Sequence, residues 1–206
     1  MMNRPRLTLS AAVCCVSAFA QIQPGQPASQ QQDKSNASQA EPLTVGEKYR
    51  LALKRSLDPT EVLRLSVAAG YNQARNYPEE WGQGWDAFGV RVASGFGQHF
   101  IKEQLEFGVW AIDHEDPRRR RSGLHGIWPR TRYAVIHTFV ARRDDGGNMP
   151  AYSRFIGDYG AGFISREWYP TRFHNVQQGF DAGTISLGFD VGLNVVREFL
   201  PSRLIP

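Results

Sequence analysis

The densest set of side chains able to do chemistry is Asp113-His114-Glu115-Asp116, which leads almost directly into Arg118-Arg119-Arg120-Arg121. Imidazole and carboxylate groups are ligands for zinc and similar ions, so metal-assisted hydrolysis is one chemistry this run could support. Adjacent residues on a regular element point in different directions, however, and the two-His helical spacing of metalloproteases is missing. The plainer expectation is a solvated loop whose acids pair with the arginines. His99 and Glu103 stand one helical turn apart, within reach of a hydrogen-bonded pair or two metal ligands. A third ligand would have to come from elsewhere, such as His137 or Asp190, and a structural pair is favoured. His99, Glu103 and His114 are therefore catalytic candidates by residue type alone. Ser94 and Ser165 lack the glycine-flanked elbow of a serine nucleophile. The glycines from Gly157 to Gly162 are not followed by the Lys-Ser/Thr of a phosphate loop, and tight packing explains them better. No metal and no cofactor is assigned, and the residues favour a non-enzymatic protein.

Two other polar sets invite a binding or structural role. Arg118, Arg119, Arg120 and Arg121, with Arg130, Arg132 and the aromatic rings of Trp128 and Trp110, could contact an anionic surface such as lipid phosphates. Asp190, Asn194, Arg197 and Glu198 fall on one narrow arc if their segment is helical. That arc either faces water or turns inward, where Asp190, Asn194 and Glu198 would pair with Arg91 or Arg154, because buried charges must be paired.

The elements that position these residues begin at Thr44. Thr44 and Glu47 have capping-box spacing, with Tyr49, Ala52, Leu53 and Leu57 on one face and Lys48, Arg50, Lys54 and Arg55 on a solvated basic flank. Asp58-Pro59-Thr60-Glu61 starts a second helix that should run to roughly Arg75. Pro78 with Glu79 and Glu80 can open a further turn, and the glycines of Trp81-Gly82-Gln83-Gly84-Trp85 suggest a bend. Long segments follow at about 85–113 and 132–143, separated by a polar loop over Asp116–Pro129. A turn at Asp144–Asn148 precedes segments at 151–168 and about 181–200.

Whether these segments are helices or strands decides the fold class. Residues 184–199 separate cleanly into polar and apolar sides as a helix, but Ile185, Leu187, Phe189, Val191, Leu193 and Val195 also alternate as a strand would. Phe88–Phe100 has the same ambiguity. The cap at Asp58, the break in alternation at Val195-Val196, and too few segments for the smallest eight-stranded barrel favour a mostly α fold. The alternative is a small outer-membrane β-barrel. Helices this rich in glycine would need close helix–helix contact to offset the loss of propensity.

Residues 1–20 have the layout of an export signal: Arg4 and Arg6, an apolar stretch from Leu7 to Phe19, and Ala18-Phe19-Ala20 before Gln21. A lipid-anchor reading through Cys14 or Cys15 is disfavoured by the bulky Val13. Residues 21–43, rich in Gln, Ser, Ala and Pro, read as a disordered linker, and 44–206 as one domain. Both cysteines lie within the signal, so the mature chain has no thiol chemistry. Loss of Arg4 and Arg6 lowers the formal charge from +4 to +2, which gives no reason to expect a nucleic-acid partner.

Five motifs together resemble an uncharacterised family of exported bacterial envelope proteins. They are Glu80-Trp81-Gly82-Gln83-Gly84, His114-Glu115-Asp116-Pro117-Arg118, Arg132-Tyr133-Ala134 with Thr138-Phe139-Val140, Gly160-Ala161-Gly162-Phe163 with Trp168-Tyr169-Pro170, and Glu198-Phe199-Leu200-Pro201. The resemblance covers about Leu57 to Pro201 and implies a signal peptide and one domain. The family has no established activity, so it assigns no catalytic residue. Arg119 stands where such relatives tend to carry an aromatic. The expectation is a periplasmic or outer-membrane protein, peripheral or membrane-associated, whose partners are the envelope membrane or envelope proteins, with no nucleic acid or nucleotide.

Overall fold

The computed structural model describes residues 41–200, and the expectations of a signal peptide over 1–20 and of a linker up to residue 40 lie outside them. Six α-helices and a small three-stranded sheet occupy the described residues. Helix α1 (Val45–Ser56) opens with the capping box read from the sequence: Glu47 N–H donates to Thr44 Oγ1 at 3.3 Å, and Thr44 N–H donates to the Glu47 carboxylate at 2.9 Å. Helix α2 (Pro59–Ala74) starts with Asp58 accepting from Thr60 N–H at 2.9 Å and with proline at its first position, where no N–H is needed. The two helices lie one after the other along α3 (Trp85–Ile112), antiparallel to it. Contacts run from Lys48 against Trp110, through Arg55 against His99, to Gln73 against Gly84.

Helix α3 has 28 residues and is roughly 42 Å long. Helix α5 (Tyr152–Ser165) runs back along it, and α6 (Val176–Phe199) runs back along α5. The close α5–α6 approach depends on three glycines. A Cβ on Gly162 would stand 2.8 Å from the backbone of both Gly179 and Gly183, and one on Gly183 would stand 2.9 Å from the Tyr159 backbone. On the other side of α5, a Cβ on Gly157 would meet Glu106 Cγ at 2.7 Å. The glycines that weaken these helices thus allow the contact that holds them together.

Helix α4 (Ile127–Phe139) packs on α6 and passes into β2 (Val140–Arg143). Strand β2 pairs antiparallel with β1 (Glu115–Asp116) on one side and β3 (Asn148–Pro150) on the other. The Asp144–Asn148 turn joins β2 to β3. Three-residue 3₁₀ turns at Glu79–Trp81, Arg166–Trp168 and Thr171–Phe173 connect helices.

Several expectations change. Phe88–Phe100 and Ile185–Val195 are helical, so the β-barrel alternative is overturned: the alternation was a by-product of glycines and small residues spaced along helices. The 132–143 segment is a helix that begins earlier, at Ile127, followed by a strand. Pro129 lies in its first turn, where a missing N–H costs nothing. Helix α6 begins at Val176 instead of about Asp181, because Asn175 caps it by accepting from Gln178 N–H at 2.9 Å. The basic flank of α1 is not wholly solvated either. Lys48 is buried and Tyr49 and Leu57 are exposed, because Lys48 reaches the Trp110 carbonyl at 2.9 Å and Asp144 at 2.8 Å.

The α5–α6 contact gives a direct expectation. Gly162→Ala should lower stability by about 1–3 kcal/mol, the cost of forcing a methyl into close packing. Gly192→Ala, where an added Cβ meets nothing within 4 Å, should raise it by about 0.5–1 kcal/mol through helix propensity. Thermal melts followed by circular dichroism distinguish the two, and equal effects would contradict this packing.

Candidate functional site

The interior of the bundle is polar. Large apolar side chains are scarce among its buried residues, which include Arg91, Lys102, Glu103, Glu106, Asp158 and Glu198. At its centre the Lys102 ammonium of α3 lies 2.6 Å from Asp158 on α5 and 2.8 Å from Asp190 on α6, with Glu106 one turn along its own helix at 3.9 Å. Burial works against a charged lysine, but the carboxylates of Asp190, Glu106 and Asp158 outweigh it and raise its pKa. The two aspartates respond differently to the shared cation. Burial pushes Asp158, which is fully enclosed, up to about 6 against the pull of Lys102. Asp190 is also penalised by burial, but Lys102 prevails and holds it below the usual range. Ser186 donates a further hydrogen bond to Asp158.

Glu103 faces the same interior without a comparable partner. Burial, reinforced by Glu106, pushes its carboxyl up to about 8, and its Oε2 has no hydrogen-bond partner among the described residues. The pair expected between Glu103 and His99 is not made. Burial lowers the His99 pKa and favours the neutral ring, whose Nε2 lies 3.2 Å from the Arg55 carbonyl. A carbonyl only accepts, so Nε2 carries the proton and serves the end of α1. The ligands that might have joined it are occupied elsewhere: Asp190 by Lys102, and His137 on α4 by stacking with Tyr133 at 4.0 Å between centroids. Ser94 accepts from the Trp168 indole N–H at 2.8 Å, and Ser165 donates to the Gly162 carbonyl at 3.0 Å, so both serve the packing.

The Asp113–Asp116 cluster diverges. His114 points outward, with positive φ and Asp144 4.0 Å away. Glu115 is buried and accepts from Ser153 Oγ at 2.6 Å. Asp116 faces the arginines, with Arg120 at 3.3 Å and Arg118 at 3.9 Å. Among the described residues no group of three His, Asp or Glu side chains has a metal-binding arrangement.

The arc on α6 turns inward, as one of the two sequence alternatives had it, but with different partners. Asn194 donates to Thr138 Oγ1 at 2.8 Å, Arg197 meets Glu61 at 3.2 Å, and Glu198 meets Arg130 at 3.3 Å. Arg91, expected to pair with it, instead ties down the α2–α3 connection by donating to the carbonyls of Tyr77 at 2.8 Å and Pro78 at 2.9 Å. Arg154 donates to the carbonyls of His137 and Thr138, at 2.6 Å each.

The four-arginine run is only partly at the surface, with Arg119 and Arg121 exposed and Arg118 and Arg120 half-buried. Arg121 donates to the Leu200 carbonyl at 2.7 Å, Arg118 and Arg120 hold Asp116, and Arg119 lines a cavity of about 310 Å³ between the 117–126 loop, α4, α5 and α6. Trp128 is exposed, away from that cavity, whereas Trp110 is buried beneath the Arg55 guanidinium at 4.9 Å and belongs to the interior, not to a surface.

No family model, curated protein or solved structure matches the chain.

Glu103 makes the stability of the fold depend on pH. In the fold it keeps its proton to about pH 8, whereas an unfolded glutamate loses it near pH 4.5. Between these values only the folded state holds that proton, so this group's contribution to stability falls as pH rises and is fully lost above about 8. Glu103→Gln should therefore match the wild type near pH 5 and exceed its stability at pH 9 by roughly 2–4 kcal/mol. Urea unfolding at the two pH values measures this, and a pH-independent difference would show that Glu103 is not held neutral.

Proposed function

We propose that this chain is an exported, non-enzymatic envelope protein that associates with the membrane through the outer faces of α2, α3, α5 and α6. One observation carries the proposal: the outer faces of α2, α5, α6 and most of α3 expose no charge, whereas α1 exposes Glu47, Arg50 and Lys54 and α4 exposes Arg132. Helix α6 turns Phe180, Ile185, Phe189, Val196 and Phe199 outward, with Gly188 and Gly192 between them, while its ionisable side chains are buried or half-buried. Helix α5 exposes Tyr152, Ile156 and Ile164, and α2 exposes Val62, Leu63, Val67 and Tyr71. From Ala87 to Ile112, α3 exposes no charged side chain.

Water-facing helices place charges outside and apolar residues within, and this bundle reverses that rule. A contiguous apolar surface of this kind marks contact with lipid or protein. Lipid is favoured because, α1, α4 and the first turn of α3 apart, the exposed charges lie on connections near the bundle ends. At one end Arg172 and Glu80 join across 2.9 Å, and at the other Arg143 and Asp145 lie in the hairpin. An outward groove of about 410 Å³ between α2 and α3, lined almost entirely by side chains such as Val62, Leu65, Phe88 and Phe96, is suited to an acyl chain. Among the described residues no helix is long and apolar enough to cross a membrane. The association rests on the outer faces of several helices together. The signal-like residues 1–20 and the resemblance to exported envelope proteins support the same placement.

The test is flotation of residues 21–206 with neutral and with acidic phosphatidylcholine-based vesicles. Binding through apolar faces should occur with both lipids and persist in high salt, which screens charge attraction. Ile185→Glu with Phe189→Lys should reduce it at least tenfold without loss of helix. A chain that stays monodisperse in detergent-free buffer and ignores both vesicles would overturn the proposal.

A further inference from the structure

We propose that the cavity lined by Arg119 is a binding site for a small oxyanion, a phosphate or carboxylate group, with the Arg119 guanidinium as its principal ligand. Among the described residues Arg119 has no hydrogen-bond or ion-pair partner, although its four-arginine run is otherwise engaged. Arg119 is exposed to solvent by its accessible surface, yet it lines the cavity and the protein around it is dense. Its charge reaches Glu103 on α3 and Asp190 on α6, deep in the bundle.

The surroundings select the sign of the ligand. Eight arginines line the cavity against four carboxylates, so an anion is favoured over a cation. Those carboxylates are already engaged: Asp116 by Arg118 and Arg120, Glu115 by Ser153, Glu198 by Ser122 and Arg130, and Glu106 by Lys102. None is left for Arg119. Burial, together with the positive charges of Arg55, Arg197 and Arg154, pulls its pKa down to about 9, still well above neutrality. The group remains charged and is repelled by its neighbours. Arg142, on the cavity wall, also has an Nε without an acceptor among the described residues.

A planar guanidinium offers paired N–H donors that match the oxygens of a phosphate or carboxylate in bidentate fashion. The volume of about 310 Å³ holds such a group with a modest organic substituent. An oxyanion seated there would neutralise Arg119 and relieve repulsion from three other arginines at once. This inference does not depend on membrane association.

The experiment is isothermal titration of residues 21–206 with inorganic phosphate and, separately, acetate at low ionic strength, together with thermal melts. Saturable binding of one equivalent of either ion and a rise in Tm are expected. The tighter ion distinguishes phosphate from carboxylate as the recognised group. Arg119→Lys should weaken binding about tenfold through loss of the fork, and Arg119→Leu should abolish it. Arg119→Leu should also raise the Tm of the anion-free protein, because an unpaired cation is removed, a gain that a merely structural arginine would not give. Arg132→Leu, an exposed site away from the cavity, should bind as the wild type does. If Leu at 119 proves too disruptive, Arg119→Gln serves the same purpose. Absence of saturable binding of either ion, or binding unchanged in Arg119→Leu and Arg119→Gln, would overturn the proposal.

Discussion

A single lysine ammonium held between aspartates from two other helices is the contact on which the rest of the bundle depends. Lys102 on α3 reaches Asp158 on α5 and Asp190 on α6 at 2.6 and 2.8 Å. Two carboxylates and a cation in so small a volume are tolerable only if all three stay in place, because losing one leaves an uncompensated charge away from water. The pairing therefore sets which faces of α3, α5 and α6 meet, and at which height. Asp190 and Asn194 are one turn apart on α6, so the inward direction of one fixes that of the other, and Arg197 and Glu198 follow a turn later. The apolar side chains of α6 are left on the outside.

Close approach makes this possible. An ammonium bridges carboxylates on neighbouring helices only when their backbones come near, and Gly157, Gly162, Gly179 and Gly183 remove the side chains that would keep them apart. Small residues and charge thus occupy the interior, while large apolar side chains have little room there and turn outward. The inverted surface and the buried ion network are two consequences of one packing choice. The arginine cavity lies where this close packing ends, between the 117–126 loop and the hairpin end of the bundle, and there cations outnumber their partners.

Much of the fold was legible in the sequence because it is written in local devices. The capping box at Thr44, the Asp58-Pro59 start and the Asp144–Asn148 turn each depend on residues within one turn of each other, and all three form. The glycine faces also signalled close helix contact. Direction was harder. The polar arc of α6 was readable as an arc, but periodicity gives the same pattern whether its narrow side meets water or protein. Lys48 and Lys102 were missed for a related reason. A lysine ordinarily belongs in water, and only partners distant in sequence, Asp144 for one and Asp158 with Asp190 for the other, reveal it as buried. A strip on α3 could have given warning, because Arg91, Ser94, Gln98, Lys102 and Glu106 recur at helical spacing opposite the phenylalanines. The isolation of Arg119 could not be seen at all, since it depends on which acids its neighbours occupy.

The central claim is that Lys102 and Asp190 form one buried unit, and a double-mutant cycle measures it most directly. Urea unfolding of the wild type, Lys102→Met, Asp190→Asn and the double variant yields the coupling energy free of each residue's other contacts. A favourable coupling of about 1–3 kcal/mol is expected, with each single variant losing more stability than the pair is worth. Additive effects within about 0.5 kcal/mol would mean the two side chains do not meet. The arc on α6 would then face water, contrary to the packing described here.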